Sequence, residues 1–297
     1  MMRRLSVVFA WLSLLVAAPA LAEAPVRLTS LEQQLSRIAS VNPGNIGIAA
    51  LDLKSGELVS IQGDTPFPMA STVKVAIAAN YLAQVENGRR SLDDVIGGQS
   101  ARTLMARMLI HSDNVATDKI LKDLGGPGTI QAWLNQQGLS GIRMDRTIAQ
   151  LLAAKRDLRD VRDSSTPKAM VLMLQKLDSG VLLRPSSRSY LLNLMAQCAT
   201  GRNRIPGQLP GVKIEHKTGT LDGLTTDVGF ITLPDGRRLA VALFARHGVN
   251  RPYSIASAAR TIYDGFRSVV AAPFSLGYTA AAAVRDPLAP LPVGVAH

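Results

Sequence analysis

From Asn45 to Gln62 apolar and polar positions alternate in the manner of a hairpin: NIGIAALDL, a Lys54-Ser55-Gly56 turn, then ELVSIQ. Beyond Ser71 the period lengthens to that of helices. The pattern predicts helices over residues 72–85, 101–110, 116–124, 130–137, 168–177 and 187–197, separated by Gly-, Pro- and Asp-rich breaks. Strands return over 212–217, 226–233 and 238–245, the last two joined by Pro234-Asp235-Gly236. A final helix is expected from Ser254 to about Val269, followed from Ala271 by an Ala- and Pro-rich tail. Neither terminal set of strands can hide both faces alone, so the two ends most simply share one antiparallel sheet covered by the last helix. The expected fold is therefore mixed α and β with two lobes. An α/β lobe (23–65 and 206–270) is flanked by helices, an all-helical lobe (66–205) is inserted into it, and a cleft between them holds the site.

Composition narrows the class. The 297 residues are 47% hydrophobic and 19% charged, which excludes disorder throughout. One cysteine, Cys198, excludes an internal disulfide framework and a multi-cysteine zinc site. His111, His216, His247 and His297 show no metal spacing, so neither metal nor cofactor is expected. Residues 1–22 read as a secretory signal peptide. Arg3 and Arg4 precede an apolar run too short for a membrane span, and Ala20-Leu21-Ala22 offers a cleavage site before Glu23. The expected location is periplasmic or secreted, with no membrane span in the mature form and a monomeric state.

The net charge of +11 stays strongly positive once the leader is removed. Nucleic acid would be one partner for so basic a chain, but export and an aromatic content of 4% argue against it. An anionic envelope or a carboxylate-bearing substrate fits better. A basic surface with no specific partner is the plainer alternative.

Three short segments carry candidate chemistry. Ser71-Thr72-Val73-Lys74 opens the first long helix. Such a serine is commonly an N-cap, yet Ser71 and Lys74 share a helical face, and a partly dry lysine could take the serine proton. Ser112-Asp113-Asn114 reads as a turn and helix cap. As chemistry, Ser112 could relay a proton and Asn114 could bind a substrate amide. Lys217-Thr218-Gly219-Thr220 ends a predicted strand, where a lysine and two hydroxyls would make an anion cradle and Gly219 would let a substrate backbone approach. All three occur in order behind an export signal.

That ordered set resembles the class A β-lactamase family, one of the penicillin-recognising serine hydrolases, over roughly residues 28–269. Arg146 and Asp163 match the ion pair that closes the family's Ω loop, and Thr166-Pro167 follows as usual there. Thr200-Gly201, Leu209-Pro210, Thr225-Thr226 and the closing ASAARTIYDGF segment extend the match. The resemblance implies Ser71 as acylated nucleophile, Lys74 as its base and Ser112 as proton relay. It implies Asn114 as holder of the acyl amide, Lys217, Thr218 and Thr220 as binders of the substrate carboxylate, and the N–H groups of Ser71 and Thr220 as the oxyanion hole.

The Ω loop departs from the family. Matching from Arg146 puts Ile148 where the deacylating glutamate stands and Leu152 where its partner asparagine stands, and no glutamate lies between Arg146 and Asp163. Asp157 and Asp160 are the loop's acids, set among Arg156, Arg159 and Arg162, and read first as ion pairs and second as substitute bases. His216 replaces a usual aspartate, and Arg246 and Arg251 are candidates for the family's additional carboxylate-binding arginine. A positioned base contributes about 10²–10⁴ in rate. The expectation is thus an exported hydrolase that opens β-lactams through acyl-Ser71 with slow or atypical deacylation. Two alternatives stay open: a penicillin-binding D,D-carboxypeptidase or amidase acting on D-Ala-type cell-wall peptides, and a protein that binds β-lactams without turnover.

Overall fold

A computed structural model describes residues 26–43 and 45–267. The expected signal peptide and the Ala/Pro-rich tail lie outside the described residues.

The chain opens with α1 (Val26–Ser40), a helix absent from the expectation above although Leu28, Leu31, Leu35 and Ala39 repeat at helical spacing and are all buried. The hairpin follows as β1 (Ile46–Asp52) and β2 (Leu58–Ile61). A two-residue strand β3 (Phe67–Pro68) leads into a 3₁₀ turn at Ala70–Val73, and α2 (Lys74–Glu86) continues from it. After the small β4–β5 ladder (Val95–Ile96, Gln99–Ser100) come α3 (Ala101–Ile110), α4 (Asn114–Asp123) and α5 (Pro127–Gln136). The Ω-loop region contributes α6 (Ile148–Ala153) and β6 (Ser164–Ser165), which pairs with β3. Helices α7 (Pro167–Asp178) and α8 (Pro185–Ala196) complete the helical part. A 3₁₀ turn at Ile205–Gln208 then precedes β7 (Ile214–Leu221), β8 (Leu224–Thr232), β9 (Arg238–Arg246) and α9 (Arg251–Arg267).

Strands from both ends form one antiparallel sheet in the order β2-β1-β9-β8-β7. Alternate side chains serve two cores. Ile46, Ile48 and Ala50 of β1, with Leu239, Val241, Leu243 and Ala245 of β9, pack against α1 and α9. Ala49 and Leu51, with Ala240, Ala242 and Phe244, face the helical part, including α7. A strand buried on both faces reads as continuously apolar, which is why β1 and β9 show weak alternation.

In the helical part, α2 is enclosed by its neighbours: every residue from Lys74 to Leu82 is buried. Its N-terminus is thereby carried into the interior, directly against β7 and β8 through the Ala70–Val73 turn. Among the described residues no helix is long and apolar enough to cross a membrane.

Candidate active site

Ser71 lies in the 3₁₀ turn and Lys74 is the first residue of α2, three positions on. The serine is therefore not the N-cap of a long α-helix. Met69 precedes the turn, and its carbonyl accepts from the Thr72 hydroxyl at 2.8 Å and the Thr226 hydroxyl at 3.3 Å. Ala70, just before Ser71, has φ +49°, a strained value for a residue with a Cβ, as does Ser112 at +58°. Both strained positions flank the chemistry.

Ser112 sits between α3 and α4. Asp113 caps α4 by accepting from the Ala116 amide at 2.9 Å, and Arg107 holds it with Nε at 2.9 Å. The capping reading and the chemical reading of this segment thus coexist: the cap fixes Asp113, which presents Ser112 and Asn114 to Lys74. Lys74 Nζ donates to the Ser112 carbonyl at 2.7 Å, to Ser112 Oγ at 3.2 Å and to Asn114 Oδ1 at 2.8 Å. From the other side Lys217 Nζ donates to the same Ser112 Oγ at 2.9 Å and to the Thr218 carbonyl at 2.9 Å. Burial, and next the Lys217 charge, bring Lys74 down to about 7. Burial brings Lys217 down to about 8. Lys74 therefore exchanges a proton near neutrality. None of its hydrogen bonds goes to Ser71 Oγ, and nucleophile–base contacts are often loose until substrate is in place.

The Lys217–Thr220 segment does not end its strand. It lies within β7, paired residue by residue with β8, and β7 is the edge of the sheet. At Gly219 a Cβ would fall 2.6 Å from the Met69 carbonyl and closer still to Thr226 Oγ1, so this strand and the nucleophile's turn approach as backbone.

The additional arginine beside the cradle is neither of the two expected. Arg246 donates to the carbonyls of Pro66 and Leu158 and stacks on Phe67, and Arg251 donates to the Gly248 carbonyl. Arg204, buried just before the second 3₁₀ turn, instead places Nη2 2.6 Å from Thr220 Oγ1 and Nη1 2.9 Å from the Gly219 carbonyl. Sequence reading missed it, because its link to β7 is long-range. The Thr200-Gly201 pair, part of the family resemblance, was the available signal: at Gly201 a Cβ would meet both Thr218 and Arg204.

The Ω region is pinned at its base. Asp163 accepts from Arg146 Nε at 2.5 Å and from the amides of Asp145 and Arg146 at 2.8 and 3.0 Å. Thr147 and Gln150 form a reciprocal cap on α6, and Asp118 of α4 accepts from the Ile148 and Ala149 amides at 2.8 Å each. This helix brings Ile148, Leu151 and Leu152 into one small pocket with Ser71, Asn114 and Thr220. Apolar side chains thus line the same pocket as Ser71. Asp160 is bound by Arg162 and Arg146, and these, Arg162 foremost, hold its carboxyl down at about 2. Exposed Asp157 accepts from the Arg159 amide at 2.8 Å.

The chain is similar to known proteins along most of its length. The profile of the "Beta-lactamase enzyme family" matches residues 30–266. The chain is 30% identical over 279 residues to beta-lactamase CTX-M-8 of Citrobacter amalonaticus, covering 85% of this chain and 94% of that one. It is 30% identical over 249 residues to the carbapenem-hydrolyzing beta-lactamase KPC of Klebsiella oxytoca, covering 75% and 84%. An ancestral class A beta-lactamase superposes with a TM-score of 0.75 at 30% identity, covering 80% of this chain and 100% of that one. A beta-lactamase from Chitinophaga pinensis gives 0.75 at 28%, covering 80% and 99%. Two strand sets closed into one sheet, a serine and a lysine on its inserted helices and a match along nearly the whole described chain lead to one conclusion: this protein is an enzyme of the class A β-lactamase family.

Proposed function

We propose that the protein hydrolyses β-lactams through an acyl-Ser71 intermediate whose breakdown is slow. The observation that carries the first half is Ser112 Oγ held between Lys74 and Lys217. Neutral Lys74 takes the Ser71 proton as the hydroxyl attacks the lactam carbonyl, and the N–H groups of Ser71 and Thr220 receive the oxyanion. Ser112 hands a proton to the leaving ring nitrogen. Lys217, Thr218, Thr220 and Arg204 hold the substrate carboxylate, and Asn114 holds the acyl amide.

The second half follows from what borders the serine. Deacylation needs a water and a base. Ile148, Leu151 and Leu152 offer neither, and Asp160 is a poor base because its lone pairs serve two arginines. The loss of a positioned base corresponds to a rate lower by about 10²–10⁴. Export by the Sec route, with cleavage after Ala22, accompanies this reading on the strength of the leader sequence.

An intact-mass time course after mixing with one equivalent of benzylpenicillin tests it. An adduct that persists, is absent from Ser71→Ala and yields penicilloate slowly is the expected result. Rapid penicilloate formation with no lasting adduct overturns the slow step. No adduct and no product overturns the function.

A further inference from the structure

The Ω region holds more cations than its carboxylates bind. Asp160 is taken by Arg162 and Arg146, Asp163 by Arg146, and Asp145 by Arg143. Neither Lys155 nor Arg156 joins these pairs, although sequence reading expected Arg156 to do so. The Nε–H of Arg156 is buried and meets no acceptor among the described residues. A buried N–H left unmet is costly, and an anion is the acceptor that a guanidinium binds best.

The packing of the loop fixes these cations relative to Ser71. Leu151 and Leu158 flank them in the chain, and both pack with Ala70, Leu221 and Leu224 in one apolar cluster. Arg246 Nη1 also donates to the Leu158 carbonyl at 3.1 Å. Lys155 and Arg156 thus lie on a short span between two anchors, both packed with the residue before Ser71. They line a small cleft that shares Leu151 and Leu221 with the pocket around Ser71. Asp157 and Asp160 line it too, but Asp160 is committed to its arginines and Asp157 to the Arg159 amide. The cleft's volume is about 10 Å³, room for one oxygen-sized group rather than a ring.

We propose that Lys155 and Arg156 form an anion subsite that selects β-lactams whose acyl side chain is a short apolar spacer ending in a carboxylate. This selection rests on the β-lactam reading above. With the acyl amide at Asn114, the side chain leaves along Ile148, Leu151 and Leu221, which offer it apolar contact. Past Leu151 its charged end meets the two cations, and one carboxylate oxygen fills the small cleft. Both cations are partly open to water, so the attraction is modest and amounts to about fivefold in acylation rate.

The probes are glutaryl-7-aminocephalosporanic acid, whose acyl chain ends in a carboxylate, and its side-chain primary amide, which has nearly the same shape. Second-order acylation rates of the full chain, read by quenched intact mass, should favour the acid by about fivefold at low salt and by less in about 0.5 M NaCl. The double variant Lys155→Gln, Arg156→Gln should bring the ratio to about one. Arg159→Gln removes a cation of the same loop that lies outside the cleft, and should keep the wild-type ratio. Equal rates in the wild type, or a preference that survives the double variant, overturns the subsite. Loss of the preference in Arg159→Gln as well assigns it to the general field of the loop and overturns the subsite too. If neither probe acylates Ser71, the β-lactam reading falls and takes the subsite with it, whereas acylation by both at one rate removes the subsite alone.

Discussion

Lys74 and Lys217 donate to a single oxygen: Ser112 Oγ accepts from the first at 3.2 Å and from the second at 2.9 Å. Two buried ammonium groups around one hydroxyl penalise double charging, so the site favours one neutral and one charged lysine near pH 7. The proposed acylation needs Lys74 neutral and Lys217 charged. The acylation rate should therefore rise with an apparent pKa near 7 and fall with one near 8, giving a narrow bell. Rapid-mixing acylation rates from about pH 5 to about pH 10 read this directly, and a flat profile across that range contradicts the assignment of the two lysines.

Under the proposed slow deacylation, Ile148 is a place to supply a base. Its side chain shares a pocket with Ser71, and its amide is anchored by Asp118. Ile148→Glu should shorten the acyl-enzyme lifetime by at least about tenfold, toward the 10²–10⁴ typical of a positioned base. Decay of the benzylpenicillin adduct by mass measures it.

Asp160 is engaged in the loop's ion pairs. Arg162 and Arg146 bind its carboxylate, which stays ionised down to about pH 2. Asp160→Asn and Asp157→Asn should leave the adduct's decay rate within about twofold of wild type. A tenfold slowing in either variant would identify a substitute base in the loop.

Gly219 permits a close approach of two backbones. A methyl group there meets Thr226 Oγ1 and the Met69 carbonyl, neither of which lies at the end of a flexible side chain. Gly219→Ala should push β7 away from the Ser71 turn and cut acylation by about 10² or more, since a misplacement of about 1 Å has that cost. Thermal unfolding of the same variant separates a displaced strand from a protein that has lost its fold.

Arg204 reaches Thr220 and the Gly219 carbonyl together, so removing it affects both the cradle and the strand edge. Arg204→Lys keeps a charge but loses the planar fork. It should raise KM for a carboxylate-bearing β-lactam by about tenfold or more with a smaller effect on kcat, because ground-state and transition-state binding are weakened alike. Steady-state kinetics report the split, and an unchanged KM removes Arg204 from the cradle.

By itself the sequence determined the helix and strand periods, the order of the three short segments and the lack of a glutamate between Arg146 and Asp163. These are local properties, written in spacing and residue type. The 101–110 helix coincides with α3, and the sheet assembled from both chain ends was required by the need to cover exposed faces. Helix α1 was equally local, and its leucine spacing was legible but passed over. Tertiary structure decided the rest. Only pairing of β7 with β8 placed Lys217 inside the sheet's edge strand, and only the packing of α2 against that sheet made Ser112 the shared acceptor of two lysines. Arg204 at Thr220, Asp227 behind His216 and the apolar wall beside Ser71 likewise join residues far apart in the chain. Such contacts leave no trace in a periodic pattern, because burial and charge at one position depend on which distant element packs against it.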